Sequence, residues 1–155
     1  MLASCLWGDR EVTRWIGGPF SAMQVRDRLA NEIAQQASHG VQYWPVFLLA
    51  DGQFAGCCGL RPYPHGDRVF EIGFHLRPMF WKRGLAAEAA QAVIAHAFDK
   101  LGATALFAGH HPQNAASAKA LERLGFRYER DEPYAPTGLM HPSYLLRKPA
   151  PEGTR

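Results

Sequence analysis

Lys82, Arg83 and Gly84 stand directly in front of an alanine-rich stretch of helical period, in "FWKRGLAAEAAQAV" (80–93). The first turn of any helix has unpaired N–H groups and about half a positive charge, so a glycine bend there can hold a phosphate. The alternative is a basic helix entry whose long side chains lie over apolar surface and touch no ligand. Neither "GxxxxGK[ST]" nor the three-glycine dinucleotide pattern is present, which excludes a nucleotide P-loop and a dinucleotide fold. Glu71 and His75 lie on one face of the preceding strand by its period of two. His110-His111 and Cys57-Cys58 are adjacent pairs on strands, where neighbours point opposite ways. Neither pair has metal-ligand spacing, so no metal site is expected, and the cysteines form no disulfide framework.

The elements that must position these residues read clearly. "DREVTRWIGGPFS" is a short helix stopped by Gly17-Gly18-Pro19. Ser21 and Gln24 have the form of a capping box for a second helix over 22–37, with Val25, Leu29 and Ile33 as its buried stripe and Gly40 beyond its end. The period then changes to that of strands at 43–50, 54–63 and 69–76, separated by Asp51-Gly52 and His65-Gly66-Asp67; an antiparallel meander is predicted, with Pro45 at a bulge or an edge. From Leu85 to Leu101 the helical period returns through Ala89, Val93, Ala97 and Phe98. A strand at 105–111 and a helix at 114–125 follow, the latter with Asn114 as its N-cap and Ala118, Leu121 and Leu124 inward. Two last strands, "FRYERDE" and "HPSYLLRK", are joined by a Pro/Gly-rich loop over 133–142, and 149–155 form a fraying tail.

Composition bounds the function. With 155 residues, 47% hydrophobic and 20% charged, the chain suits a single domain (1–148) with one core. A formal charge of +3 with scattered basic residues supports an anionic small ligand as well as nucleic acid, and the aromatics Trp15, Tyr43, Trp44 and Phe80 are not interleaved with a basic stripe. Core and cleft wall are their expected places, and no nucleic-acid partner is expected. "MLASC" lacks the charged and apolar regions of a signal peptide, no run reaches the length of a membrane span, and three cysteines without a framework fit a reducing cytoplasm.

Two segments in order, "EIGFHL…WKRGLAAEA" and "HPQNAASAKALERLGF", resemble the GCN5-related N-acetyltransferase (GNAT) superfamily. The branch they resemble is that of the ribosomal-protein N-terminal acetyltransferases, and the likeness spans roughly 7–147. It implies an α/β fold with a central, mostly antiparallel sheet flanked by helices. It also implies acetyl-CoA as cosubstrate, its pyrophosphate on the turn Lys82, Arg83, Gly84, Leu85, Ala86 and Ala87, and its pantetheine chain on backbone groups of Phe74, His75 and Leu76. Asn114 resembles the family residue that bonds the cofactor near the pantetheine, a role that can coexist with a helix cap. Trp81 stands where many relatives have Gln or Arg, and Leu121 where many have the tyrosine that protonates the departing thiolate. Ser117 matches the branch's serine and is the substitute donor; its alternative is a local bond to the helix start.

Acetyl transfer from a thioester needs a neutral amine, and an alkyl amine is mostly protonated at neutral pH, so a base or a water chain must take a proton. Glu71 is the first choice, desolvated by Phe70, Ile72 and Phe74; the alternative is a structural pair with Arg61. His75 is a second base or a packing residue. Relatives usually open with a strand that this sequence lacks, beginning instead inside what reads as the first helix. An uncovered sheet edge beside 43–50 follows, with three explanations open: a mis-assigned start, a lost strand, or an edge covered by the second protomer of a homodimer. The predicted activity is acetylation of a primary amine, on a protein N-terminus or a small molecule; the rival is a catalytically silent acyl-CoA-binding module.

Overall fold

The computed structural model of the chain describes residues 1–150. Asp9 opens the first well-capped helix: its carboxylate accepts from the amides of Glu11 and Val12. The single helix expected near the start is two short ones, α1 (Leu2–Trp7) and α2 (Arg10–Thr13). The capping box of Ser21 and Gln24 then starts α3 (Ala22–His39), which ends at Gly40 in a left-handed conformation. Its buried face differs from the predicted stripe. Val25 is buried and Leu29 partly so, but Ile33 is 60% exposed and Glu32 takes the inward position at 1%. A carboxylate can occupy that position because Arg61 and the Tyr43 amide, from two separate strands, satisfy it there.

The strands are β1 (Tyr43–Phe47), β2 (Phe54–Pro62), β3 (Val69–Leu76), β4 (Ala105–Gly109), β5 (Arg127–Tyr134) and β6 (Leu139–Arg147), in one six-stranded sheet of order β1-β2-β3-β4-β6-β5. All neighbours are antiparallel except β3 and β4. Pro45 lies in β1, which is both an edge and irregular between Val46 and Phe47, as a strand proline requires. The edge beside β1 has no partner among the described residues, as expected.

Three boundaries differ from the prediction. Strand 43–50 ends at Phe47, and strand 105–111 ends at Gly109, leaving both histidines past it. The predicted loop over 133–142 is mostly strand: Pro133 pairs with Met140 and Pro142 with Asp131. Pro133 lies on edge strand β5, and Pro142 falls just past the end of the β4–β6 pairing at Gly109–Ser143, so neither missing N–H leaves a gap in a ladder. The tail is described only to Ala150; 151–155 lie outside the described residues.

Helices α4 (Leu85–Asp99) and α5 (Ala115–Arg123) cover one face of the sheet, where Leu60, Ile72, Leu106, Ala90, Val93 and Leu121 form the main core. Helices α1 and α3 cover the other face near β1 and β2 through Leu6, Trp7, Val25, Tyr43 and Cys57. A third cluster of Ala55, Leu76 and Phe80, with Leu85 and Ala86 against it, anchors the turn that enters α4.

Candidate active site

β3 and β4 pair only over Val69–Glu71 and Ala105–Phe107. Beyond Glu71, β3 has β2 on one side and, among the described residues, no strand on the other. Backbone parity settles which groups face that gap. The Val69 carbonyl accepts from Tyr63 and the Arg77 amide donates to Ala55, so odd-numbered residues bond toward β2. Ile72, Phe74 and Leu76 therefore direct their backbone groups into the gap. The Leu76 carbonyl accepts from the Trp81 indole N–H at 2.7 Å, so the tryptophan still supplies a polar group, one that ties the turn to the strand.

The turn is built for amide exposure. Lys82 has φ 58° and Gly84 φ 75°, both left-handed, and no atom lies within 4 Å of where a Gly84 Cβ would be. Among the described residues no acceptor takes the amides of Lys82 through Ala87; the first helical bond runs from Glu88 to the Gly84 carbonyl. Phe80, 1% exposed, fixes the turn from below, and the Arg83 guanidinium lies 5.6 Å from its ring centroid. Donors converging at a helix start beside two exposed cations fit a diphosphate.

Across the gap, Asn114 caps α5. Its Oδ1 accepts from the Ser117 amide at 3.2 Å, and its Nδ2 donates to Ser117 Oγ at 2.9 Å. The cap reading of Asn114 is thus realised, and the Ser117 hydroxyl proton has no acceptor among the described residues. Leu121, one turn on, is buried in the core.

On the sheet face turned away from α4, Glu71 sits opposite Arg61 in register. Arg61 nonetheless gives its guanidinium to Glu32, with Nε 3.1 Å from Oε1 and Nη2 closer still. Among the described residues Glu71 keeps no side-chain hydrogen bond, and burial pushes its carboxyl above the usual range while Arg61 pulls the other way. His75 is a different case. Trp7 donates its indole N–H to His75 Nδ1 at 3.2 Å, the Tyr43 ring meets it edge-on, and burial with Arg28 and Arg61 nearby holds it neutral with a pKa of about 3. A group so reluctant to take a proton is poorly suited to be the base; its side chain packs, and its backbone groups, being odd-numbered, turn to Cys57 of β2 and not to the gap where a pantetheine contact was expected of them. Gly73 between them must lack a Cβ, because the Tyr43 phenol lies against it.

The family model described as "Acetyltransferase (GNAT) domain" matches residues 1–127. The chain belongs to the GNAT acetyltransferase family. The uncharacterized N-acetyltransferase p20 of Bacillus licheniformis is 28% identical to this acetyltransferase over 79% of this chain and 70% of its own. Among solved structures, yncA of Salmonella typhimurium, described as a putative acetyltransferase with its cofactor acetyl-CoA, superposes with a TM-score of 0.76 at 20% identity, over 100% of this chain and 95% of its own. RimJ of Mycobacterium smegmatis, described in complex with CoA-disulfide, gives 0.74 at 21%, over 94% and 75%.

In this GNAT acetyltransferase the sequence placed Trp15 only as core or cleft wall and missed the aromatic–imidazole group that it joins where the N-terminal turn meets the β5–β6 hairpin. Trp15 lies over His111 at 4.6 Å, His111 meets His141 at 5.5 Å, and His141 stacks on Tyr134 at 4.4 Å. His110 diverges toward Tyr144. The only signal in the sequence was the crowding of aromatics and histidines in three separate segments. Among the described residues no group of three or more His, Cys, Asp or Glu is placed to hold a metal ion, and no helix is long and apolar enough to cross a membrane.

Proposed function

We propose that the chain transfers the acetyl group of acetyl-CoA to a primary amine by direct attack within a ternary complex. The observation that carries this is the run of free amides from Lys82 to Ala87 beside the unpaired inner edge of β3. Acetyl-CoA supplies the activated thioester. The turn residues Lys82, Arg83, Gly84, Leu85, Ala86 and Ala87 bind its pyrophosphate; the backbone of Phe74 and Leu76 aligns the pantetheine chain and polarises the acyl carbonyl. Glu71 takes the proton from the attacking amine: among the described residues its carboxylate has no hydrogen-bond partner, and burial raises its pKa on the sheet face turned away from α4. Ser117 donates to the departing sulfur, held by Asn114 with its hydroxyl proton free. The neighbour described with acetyl-CoA bound supports the cosubstrate.

Release of free thiol with a panel of primary amines tests this. Glu71→Gln should lower kcat by about 10²-fold or more, in the range of general-base loss, and Ser117→Ala by less. Leu121, buried where many relatives carry a tyrosine, favours the rival reading. Thermal stabilisation by acetyl-CoA with no turnover of any amine would select that silent module instead.

A further inference from the structure

Among the described residues only two buried side-chain polar atoms lack a partner, Arg28 Nε and Gln35 Oε1. Both belong to α3, and both residues line one cavity of about 320 Å³. Buried polar groups are almost always satisfied, and leaving one unpaired costs stability. Both atoms are themselves closed to solvent, so they mark where folding leaves this side of α3 unsatisfied and are not atoms that a molecule in the cavity touches as the chain stands.

Arg28 is the sharper of the two. Its guanidinium forms no ion pair among the described residues, and it is held over the rings of Trp7 at 4.9 Å and Phe20 at 5.6 Å. The other arginine of the cavity, Arg61, has its charge answered by Glu32. Asp27 also lines the cavity but is exposed and out of ion-pair reach of Arg28. Arg28 is therefore a partly desolvated cation with no direct counter-ion, on which Glu32 and Glu71 act only at longer range. Burial first and the nearby Arg61 next press its pKa downward, against smaller upward pulls from Tyr43, Tyr134 and Glu32. The cavity adjoins the reacting face, since Arg61 stands directly across the strands from Glu71.

We propose that the acceptor is a small amine that also carries a carboxylate, seated by Arg28 with the amino group turned toward Glu71. This rests on the acetyltransferase reading above and narrows its acceptor. The planar guanidinium fork matches a carboxylate in two hydrogen bonds, and the aromatic rings beside it hold the fork in place. A polyamine would meet repulsion from Arg28, and a carboxamide would leave the guanidinium uncompensated, so the site discriminates against both.

The test is calorimetric titration of the full chain, with coenzyme A present so that no turnover occurs. The probes are α-, β- and γ-amino acids, each paired with its carboxamide. At least one acid should bind tenfold or more tightly than its carboxamide, and Arg28→Gln should remove that preference while coenzyme A affinity stays unchanged. In turnover, Arg28→Gln should raise KM for that acid tenfold with kcat changed less than threefold. Absence of binding by any acid, equal binding of acid and carboxamide, or a preference that survives Arg28→Gln would each overturn the proposal. Acetylation of uncharged amines or peptide N-termini without an acid preference would overturn it and leave the acetyltransferase reading standing; failure of coenzyme A to bind would strike that reading itself.

Discussion

Glu32→Gln separates two roles that meet at Arg61. Glutamine keeps an oxygen for the Tyr43 amide, so the local backbone bond survives, but its NH2 then faces the guanidinium donor to donor. Breaking a fully buried ion pair costs about 3–5 kcal/mol. Here the Glu32 side chain is 2% exposed and that of Arg61 28%, so water screens part of the loss and about 2 kcal/mol is the expected destabilisation. For a chain of this length that lowers Tm by roughly 4–8 °C. The second effect is on catalysis. Arg61 loses its counter-ion and turns to the carboxylate across the strands, Glu71, whose pKa it already pulls down. Glu71 must be ionised to act, and activity is lost as pH falls through its folded pKa. The acid limb of kcat/KM should therefore move to lower pH in Glu32→Gln, read by thiol release across a pH series alongside thermal unfolding. An unchanged Tm with an unmoved limb, or a limb shifted upward, would refute Glu32 as the partner of Arg61 and Glu71 as the titrating base.

Gly84→Ala should cost the fold only about 1–2 kcal/mol, the strain of a left-handed residue, because nothing lies near the new methyl; calorimetry should show acetyl-CoA affinity falling tenfold or more. His75 has a folded pKa of about 3 against about 6.5 unfolded, so the unfolded chain binds the extra proton between those values and stability falls as pH falls. From pH 6.5 to 5 the loss is about 2 kcal/mol in denaturant unfolding, and His75→Asn should flatten that slope. In thiol titration of the native chain Cys5 should react at once, while Cys57 and Cys58, buried and pushed up to about 12, should wait for unfolding.

What the sequence made legible was local. The Gly84 turn, the Ser21–Gln24 box and the Asn114 cap each rest on residues a few positions apart, and each appears as read. What it hid depends on distant partners. Apolar periodicity placed Ile33 inside because nothing near Glu32 announces Arg61, 29 residues away. The sequence left His75 open between a second base and a packing residue because the indole that occupies its Nδ1 comes from Trp7, 68 residues earlier. Proline punctuation suggested a loop over 133–142, since edge position is a property of the sheet and not of the segment. The orphaned Arg28 and Gln35 are invisible in a sequence for the same reason: a lack of partners is known only once every neighbour has been placed.

The central claim is that the amides at the head of α4 hold the diphosphate and set the acyl group along the open edge of β3. Backbone amide chemical shifts followed during titration with coenzyme A test it most directly. The largest changes should fall on Lys82 through Ala87, with Phe74 and Leu76 next. Saturable binding that leaves those amides unmoved, or no binding at all, would contradict it.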